Sequence, residues 1–127
     1  MVGLFQLCSK LGFLLCFILI ALFSLSDGQA VAQVGQYDKV VHLFSYFVLS
    51  LCFWIGFYKT LEKTMQIISV NLALIGYGIL IEVLQGFVPA RFPSMMDAVA
   101  NAVGILLGFL LIWILKRYDL KIKLLSD

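Results

Sequence analysis

Five ionisable side chains, Asp38, His42, Glu82, Arg91 and Asp97, stand out as the residues able to do chemistry, with neutral Gln85 and Asn101 beside them. Asp38 and His42 lie four residues apart, so on a helix they meet as a carboxylate–imidazole pair. In a catalytic reading, Asp38 orients His42 as general base and Glu82 or Asp97 acts as acid. Arg91 then stabilises developing negative charge. In a binding reading, the Arg91 fork takes a phosphate or carboxylate. Asp38, His42, Glu82, Gln85, Asp97 and Asn101 supply hydrogen-bonding groups around it. No nucleophile is evident; Ser45 and Ser94 are candidates by proximity alone. His42 is the only histidine of the chain and no HExxH spacing occurs. Neither a metal nor another cofactor is therefore expected.

Plainer roles compete for the same residues. Asp97, three residues after Ser94, reads as an acid in the first turn of a helix that Ser94 caps. Glu82 suits an ion pair with Arg91, or a proton shared with Asp38 or Asp97. His42 suits an interhelical hydrogen bond to Asp38 or Glu82, and Ser45 a bond back to its own helix.

The elements that must position these groups follow from composition. The chain has 127 residues, 63% hydrophobic and 13% charged, with a net charge of +2. Its mean hydropathy of +1.07 is far above that of a soluble domain, which sits near half apolar and a quarter charged. Nucleic acid is not an expected partner, because the small positive charge is dispersed. No phosphate-loop, dinucleotide or zinc-finger spacing occurs. Cys8, Cys16 and Cys52 form an odd set without CxxC spacing, so no disulfide framework is expected.

Apolar runs predict helices over about 7–25, 40–58, 65–85 and 96–115, each near the roughly 20 residues that cross a bilayer. The expected fold is all-α: an integral membrane four-helix bundle in a single domain over 1–127, in contact with membrane lipids. Seven of the nine basic residues fall in the N-terminal segment, the 59–64 turn and the C-terminal tail. That bias places both termini in the cytoplasm. Trp54, Tyr58, Trp113 and Tyr118 are then expected to form an aromatic belt at the inner ends of the second and fourth helices. A rival reading takes Lys10, the first apolar stretch and Ala30-Val31-Ala32 as a cleaved signal peptide. A single positive charge ten residues in is a poor n-region, and four helices close a bundle better than three.

Helical phase sharpens the picture. Asp38, His42, Ser45, Leu49, Cys52 and Gly56 share one face of the second helix. Asn71, Ile75, Gly78, Glu82 and Gln85 share one face of the third. Asp97, Asn101, Gly104 and Gly108 do so on the fourth, where GxxxG spacing permits close approach of another helix. Polar groups gather at the outer helix ends, above small residues. The outer hairpin, 85–94, contains both prolines of the chain, which stiffen the loop carrying Arg91. Midplane ionisable residues, expected of a proton-coupled transporter, are missing.

The order Asp38-Lys39-x-x-His42-x-x-x-Tyr46, Glu82-x-x-Gln85, Arg91, Asp97-x-x-x-Asn101 and Gly104-x-x-x-Gly108 resembles the VanZ-like family over about 37–115. These are small bacterial membrane proteins named for an accessory factor in teicoplanin (glycopeptide) resistance. The segment before Tyr37 departs from the family, in which prolines often follow the first helix. The resemblance implies a multi-pass protein of the bacterial plasma membrane with a role in the cell envelope. The leading expectation is a non-redox protein that binds a polar headgroup or lipid-linked cell-wall precursor at the outer face. An acid–base enzyme acting on such a substrate is the alternative. A helix of another protein against Gly104 and Gly108 is a further possible partner.

Overall fold

A computed structural model of the chain describes residues 2–26, 37–61 and 63–117. They form four helices: α1 (Val2–Ser24), α2 (Asp38–Phe57), α3 (Thr64–Gln85) and α4 (Met95–Arg117). Each is 20 to 23 residues long, and at about 1.5 Å per residue that matches a hydrocarbon core of ~30 Å. All four are long and apolar enough to cross a bilayer. The chain is an all-α, four-helix, multi-pass membrane protein. Large side chains such as Leu11, Leu22, Leu72 and Ile79 point outward, where lipid rather than water would solvate them. The 26–39 connection (except its ends), Glu62 and the tail from Tyr118 onward lie outside the described residues, and with them the Ala30-Val31-Ala32 cleavage motif.

With the exterior apolar, small residues decide which helices come close. α2 packs most extensively on α4; α1 packs on α2, and α3 on α4 with a few points on α1. Gly104 and Gly108 are the reason α2 and α4 approach so closely. A methyl group at Gly104 would run into the Leu43 carbonyl oxygen, and one at Gly108 would sit 2.7 Å from Ser50 Cβ. The GxxxG face therefore closes on α2 of the same chain. In that seam, the buried Ser50 hydroxyl donates to the Ile105 carbonyl at 2.8 Å. α3 is tied to α1 by Tyr77, whose hydroxyl donates to the Phe17 carbonyl at 2.6 Å while the two rings stack.

Two sequence expectations need correction. The buried stripe of α2 runs through His42, Tyr46, Leu49, Ser50, Trp54 and Gly56, whereas Ser45 and Cys52 are only half-buried. The physical reason is that α2 is gripped on two faces, by α1 and by α4, so no single stripe describes it. Trp54 is likewise no interfacial anchor. It is 3% exposed and packs between Phe53 and Phe109. Trp113 does face outward, with the Arg117 guanidinium over its ring. Lys116 lies over Tyr58, and Lys10 over Phe57, at the same end of the bundle.

The glycine seam yields a direct expectation. Gly104→Ala should destabilise the bundle by about 1–3 kcal/mol, as overpacking does. Gly76→Ala, whose added methyl meets nothing, should be neutral or stabilising by up to about 1 kcal/mol. Unfolding of the two variants in detergent micelles would test this contrast.

Candidate functional site

The polar residues collect where α1 and α3 end and α2 and α4 begin. α2 starts at Asp38, which puts this carboxylate in the first turn, where the helix dipole favours negative charge. One turn on, His42 is buried, with Nδ1 3.0 Å from Asn101 Oδ1 of α4. A carbonyl oxygen can only accept, so the imidazole donates from Nδ1. Glu82 Oε1 of α3 lies 3.7 Å from the same nitrogen. Nε2 faces Asp38 Oδ1 at 3.5 Å. One imidazole thus meets side chains of two other helices, α3 and α4, and of the preceding turn of its own: the pairing expected with Asp38 is present, and the shorter contact is to Asn101.

Glu82 is 4% exposed and its Oε2 accepts the Ser94 backbone N–H at 3.1 Å. A carboxylate of α3 thereby anchors the start of α4. Ser94 keeps its position just ahead of that helix, accepting through its carbonyl from Asp97 and Ala98. Among the described residues Arg91 makes no ion pair with Glu82. Its guanidinium instead donates from Nη2 to the Phe23 carbonyl at 3.1 Å. Gln85 Nε2 donates to the neighbouring Ser24 carbonyl at 3.1 Å. These carbonyls belong to the last turn of α1 and lack partners within the helix; that of Phe23 also accepts from Ser26, and a cation there complements the dipole. Ala90, at φ 59°, takes the left-handed conformation that turns the hairpin toward α1.

The sequence candidates therefore divide. Asp38, His42, Glu82 and Asn101 are brought into contact. Asp97 joins them: one ligating atom each from Asp38, His42 and Asp97 lie within 4.8 Å of one another. Gln85 and Arg91 are held against α1 as C-terminal caps. Ser45 makes no bond back to its own helix, and neither its hydroxyl nor that of Ser94 meets His42 among the described residues. Tyr46, present in the motif of the second helix but not among the candidate site residues, is a buried member of this cluster. It is 1% exposed, one turn below His42, and that i, i+4 spacing was the available signal. Nothing in the sequence marks the carbonyls of Phe23 and Ser24.

Five buried polar atoms near this end, Tyr46 Oη, Glu82 Oε1, Arg91 Nε, Asp97 Oδ1 and Asn101 Nδ2, have no hydrogen-bond partner among the described residues. Each such group costs about 1–3 kcal/mol if left unpaired. Beside them, a cavity of about 480 Å³ runs between α1 and α2. Leu19, Ile20 and Phe23 form one wall, and Val41, Phe44, Ser45 and Val48 the other; Asp38, His42 and Arg91 also line it. Its size lies in the range that holds small ligands. No family model, curated protein or solved structure matches the chain.

The Glu82 anchor can be checked by substitution. Glu82→Gln keeps an acceptor for the Ser94 N–H and should cost less than about 1 kcal/mol, whereas Glu82→Leu strands that donor and should cost about 1–3 kcal/mol. Amide exchange at residues 94–97 should quicken in the leucine variant only.

Proposed function

We propose that the chain is a VanZ-like protein of the bacterial plasma membrane, and that its polar end faces outward and binds the headgroup of a lipid or lipid-linked cell-wall precursor. The groove between α1 and α2 carries this reading. Its walls are apolar enough for an acyl or isoprenoid chain, while Arg91, Asp38 and His42 offer a cation and hydrogen-bonding groups to a headgroup. Orientation follows the basic residues: Lys10, Lys59, Lys63, Lys116 and Arg117 belong to the opposite end, against Lys39 and Arg91 at the polar end. Such an imbalance favours the basic end in the cytoplasm. The family resemblance adds a role in the envelope, with altered glycopeptide susceptibility as one consequence of holding a wall precursor.

The test is lipid retention by the purified protein, followed by native mass spectrometry with phosphatidylglycerol and with undecaprenyl diphosphate. Val48→Trp, which fills the groove, and Arg91→Ala, which removes the cation, should each weaken retention of at least one of these lipids about tenfold, which is about 1.4 kcal/mol. Equal retention by parent and both variants, all folded, would discard the proposal.

An acid–base enzyme acting on the same lipid is the second reading, favoured by Ser45 lining the groove with Asp38 and His42. Loss of turnover in His42→Ala with lipid retention preserved would select it.

A further inference from the structure

The imidazole of His42 poses an electrostatic question that the headgroup reading leaves unanswered. Its Nδ1 is committed to donating, because Asn101 Oδ1 at 3.0 Å and Glu82 Oε1 at 3.7 Å are both acceptors. In a neutral imidazole the other nitrogen then carries a lone pair. That nitrogen, Nε2, faces a carboxylate oxygen of Asp38 at 3.5 Å. A lone pair against an anion is repulsive, and the imidazole side of the contact is buried. A cation between the two atoms turns the repulsion into attraction.

The third helix end supplies a second anion. Asp97 of α4 is 7% exposed, and its buried Oδ1 has no hydrogen-bond partner among the described residues. One donor atom each from Asp38, His42 and Asp97 fall within 4.8 Å of one another. We propose that Asp38, His42 and Asp97 form a binding site for a divalent transition-metal cation of the zinc or manganese class. In tetrahedral zinc sites, metal–ligand bonds of about 2.0–2.2 Å set the donors about 3.3 Å apart. The Asp38–His42 separation of 3.5 Å is near that distance, and Asp97, with a donor atom within 4.8 Å of the other two, is the third ligand. Three protein ligands leave a position open for water or an anionic oxygen.

The surroundings fit the same assignment. Histidines that bind metal through one nitrogen generally donate from the other to a carbonyl or carboxylate, which fixes the tautomer. Asn101 does this for His42. Glu82, with its second oxygen unpartnered, stands behind the same ring as an outer acceptor. One imidazole and two carboxylates also select among metals. Oxygen-only sites suit magnesium or calcium, whereas an imidazole favours zinc and its neighbours. A second histidine is missing from the chain; the fold supplies Asp97 instead. This site does not depend on the groove holding a lipid, and the metal alone is the probe that tests it.

His42 is the only histidine in the chain, so ¹⁵N-histidine labelling reports one imidazole and needs no assignment. The full chain would be purified without a histidine tag, with Cys8, Cys16 and Cys52 replaced by alanine to remove thiol ligands. Adding Zn²⁺ should move the Nε2 resonance to a metal-bound position, leave Nδ1 protonated, and saturate at one metal per chain. Asp97→Asn and His42→Ala should each bind Zn²⁺ at least about tenfold more weakly, and the outer-shell change Asn101→Ala about 10- to 100-fold more weakly. An Nε2 resonance that ignores both Zn²⁺ and Mn²⁺, with protons on both nitrogens at neutral pH, would overturn the proposal by showing that a proton fills the gap. Equal affinity for Mg²⁺ and Zn²⁺ would overturn it too, since that describes an acidic cluster only. The measurement on the parent protein decides the matter even if a variant fails to fold.

Discussion

The close approach of α2 and α4 is the constraint on which the rest of the molecule depends. In a bilayer, apolar side chains gain little by leaving lipid for a protein core, so packing and interhelical hydrogen bonds must hold the helices together. Gly104 and Gly108 let the backbone of α4 lie against Leu43, Phe47 and Ser50 of α2. The Ser50–Ile105 hydrogen bond locks that register. Asn101, three residues before Gly104, is then carried to within 3.0 Å of His42. Without the glycine seam the His42–Asn101 contact could not form at that distance, and the polar end would lose its centre.

From that centre the other helices are tied in by polar groups rather than by bulk apolar burial. Glu82 brings the end of α3 to the start of α4 through the Ser94 N–H. Gln85 and Arg91 fasten the end of α1 by its last carbonyls. One end of the bundle is therefore a polar knot, while the other is finished by cations over aromatic rings. Several atoms of the knot still have no partner among the described residues. Buried groups are costly in that condition, which is a physical reason to look for a ligand there.

The four spans were legible in the sequence because hydropathy and length alone dictate them. The polar stripe of α4 was legible too: Asp97, Asn101, Gly104 and Gly108 are all buried, because the two glycines seat that face against α2. α2 defeated the same argument because two helices flank it, so Tyr46, Ser50 and Trp54 are buried where Ser45 and Cys52 were expected. The fates of Arg91 and Gln85 were hidden for a different reason. Their partners are backbone carbonyls of α1, and a carbonyl leaves no mark in sequence. Trp54 was misplaced because a tryptophan near a helix end looks interfacial until the packing of Phe53 and Phe109 is known.

The proposed headgroup site requires the polar end to face the outside of the membrane. Single cysteines placed at Ala90 and, separately, at Thr60, in a chain lacking Cys8, Cys16 and Cys52, can be challenged in intact cells with a membrane-impermeant thiol reagent. Labelling is expected at 90, in the hairpin beside Arg91, and protection at 60, in the turn between α2 and α3. Labelling at 60 with protection at 90 would place the knot in the cytoplasm and contradict the headgroup proposal.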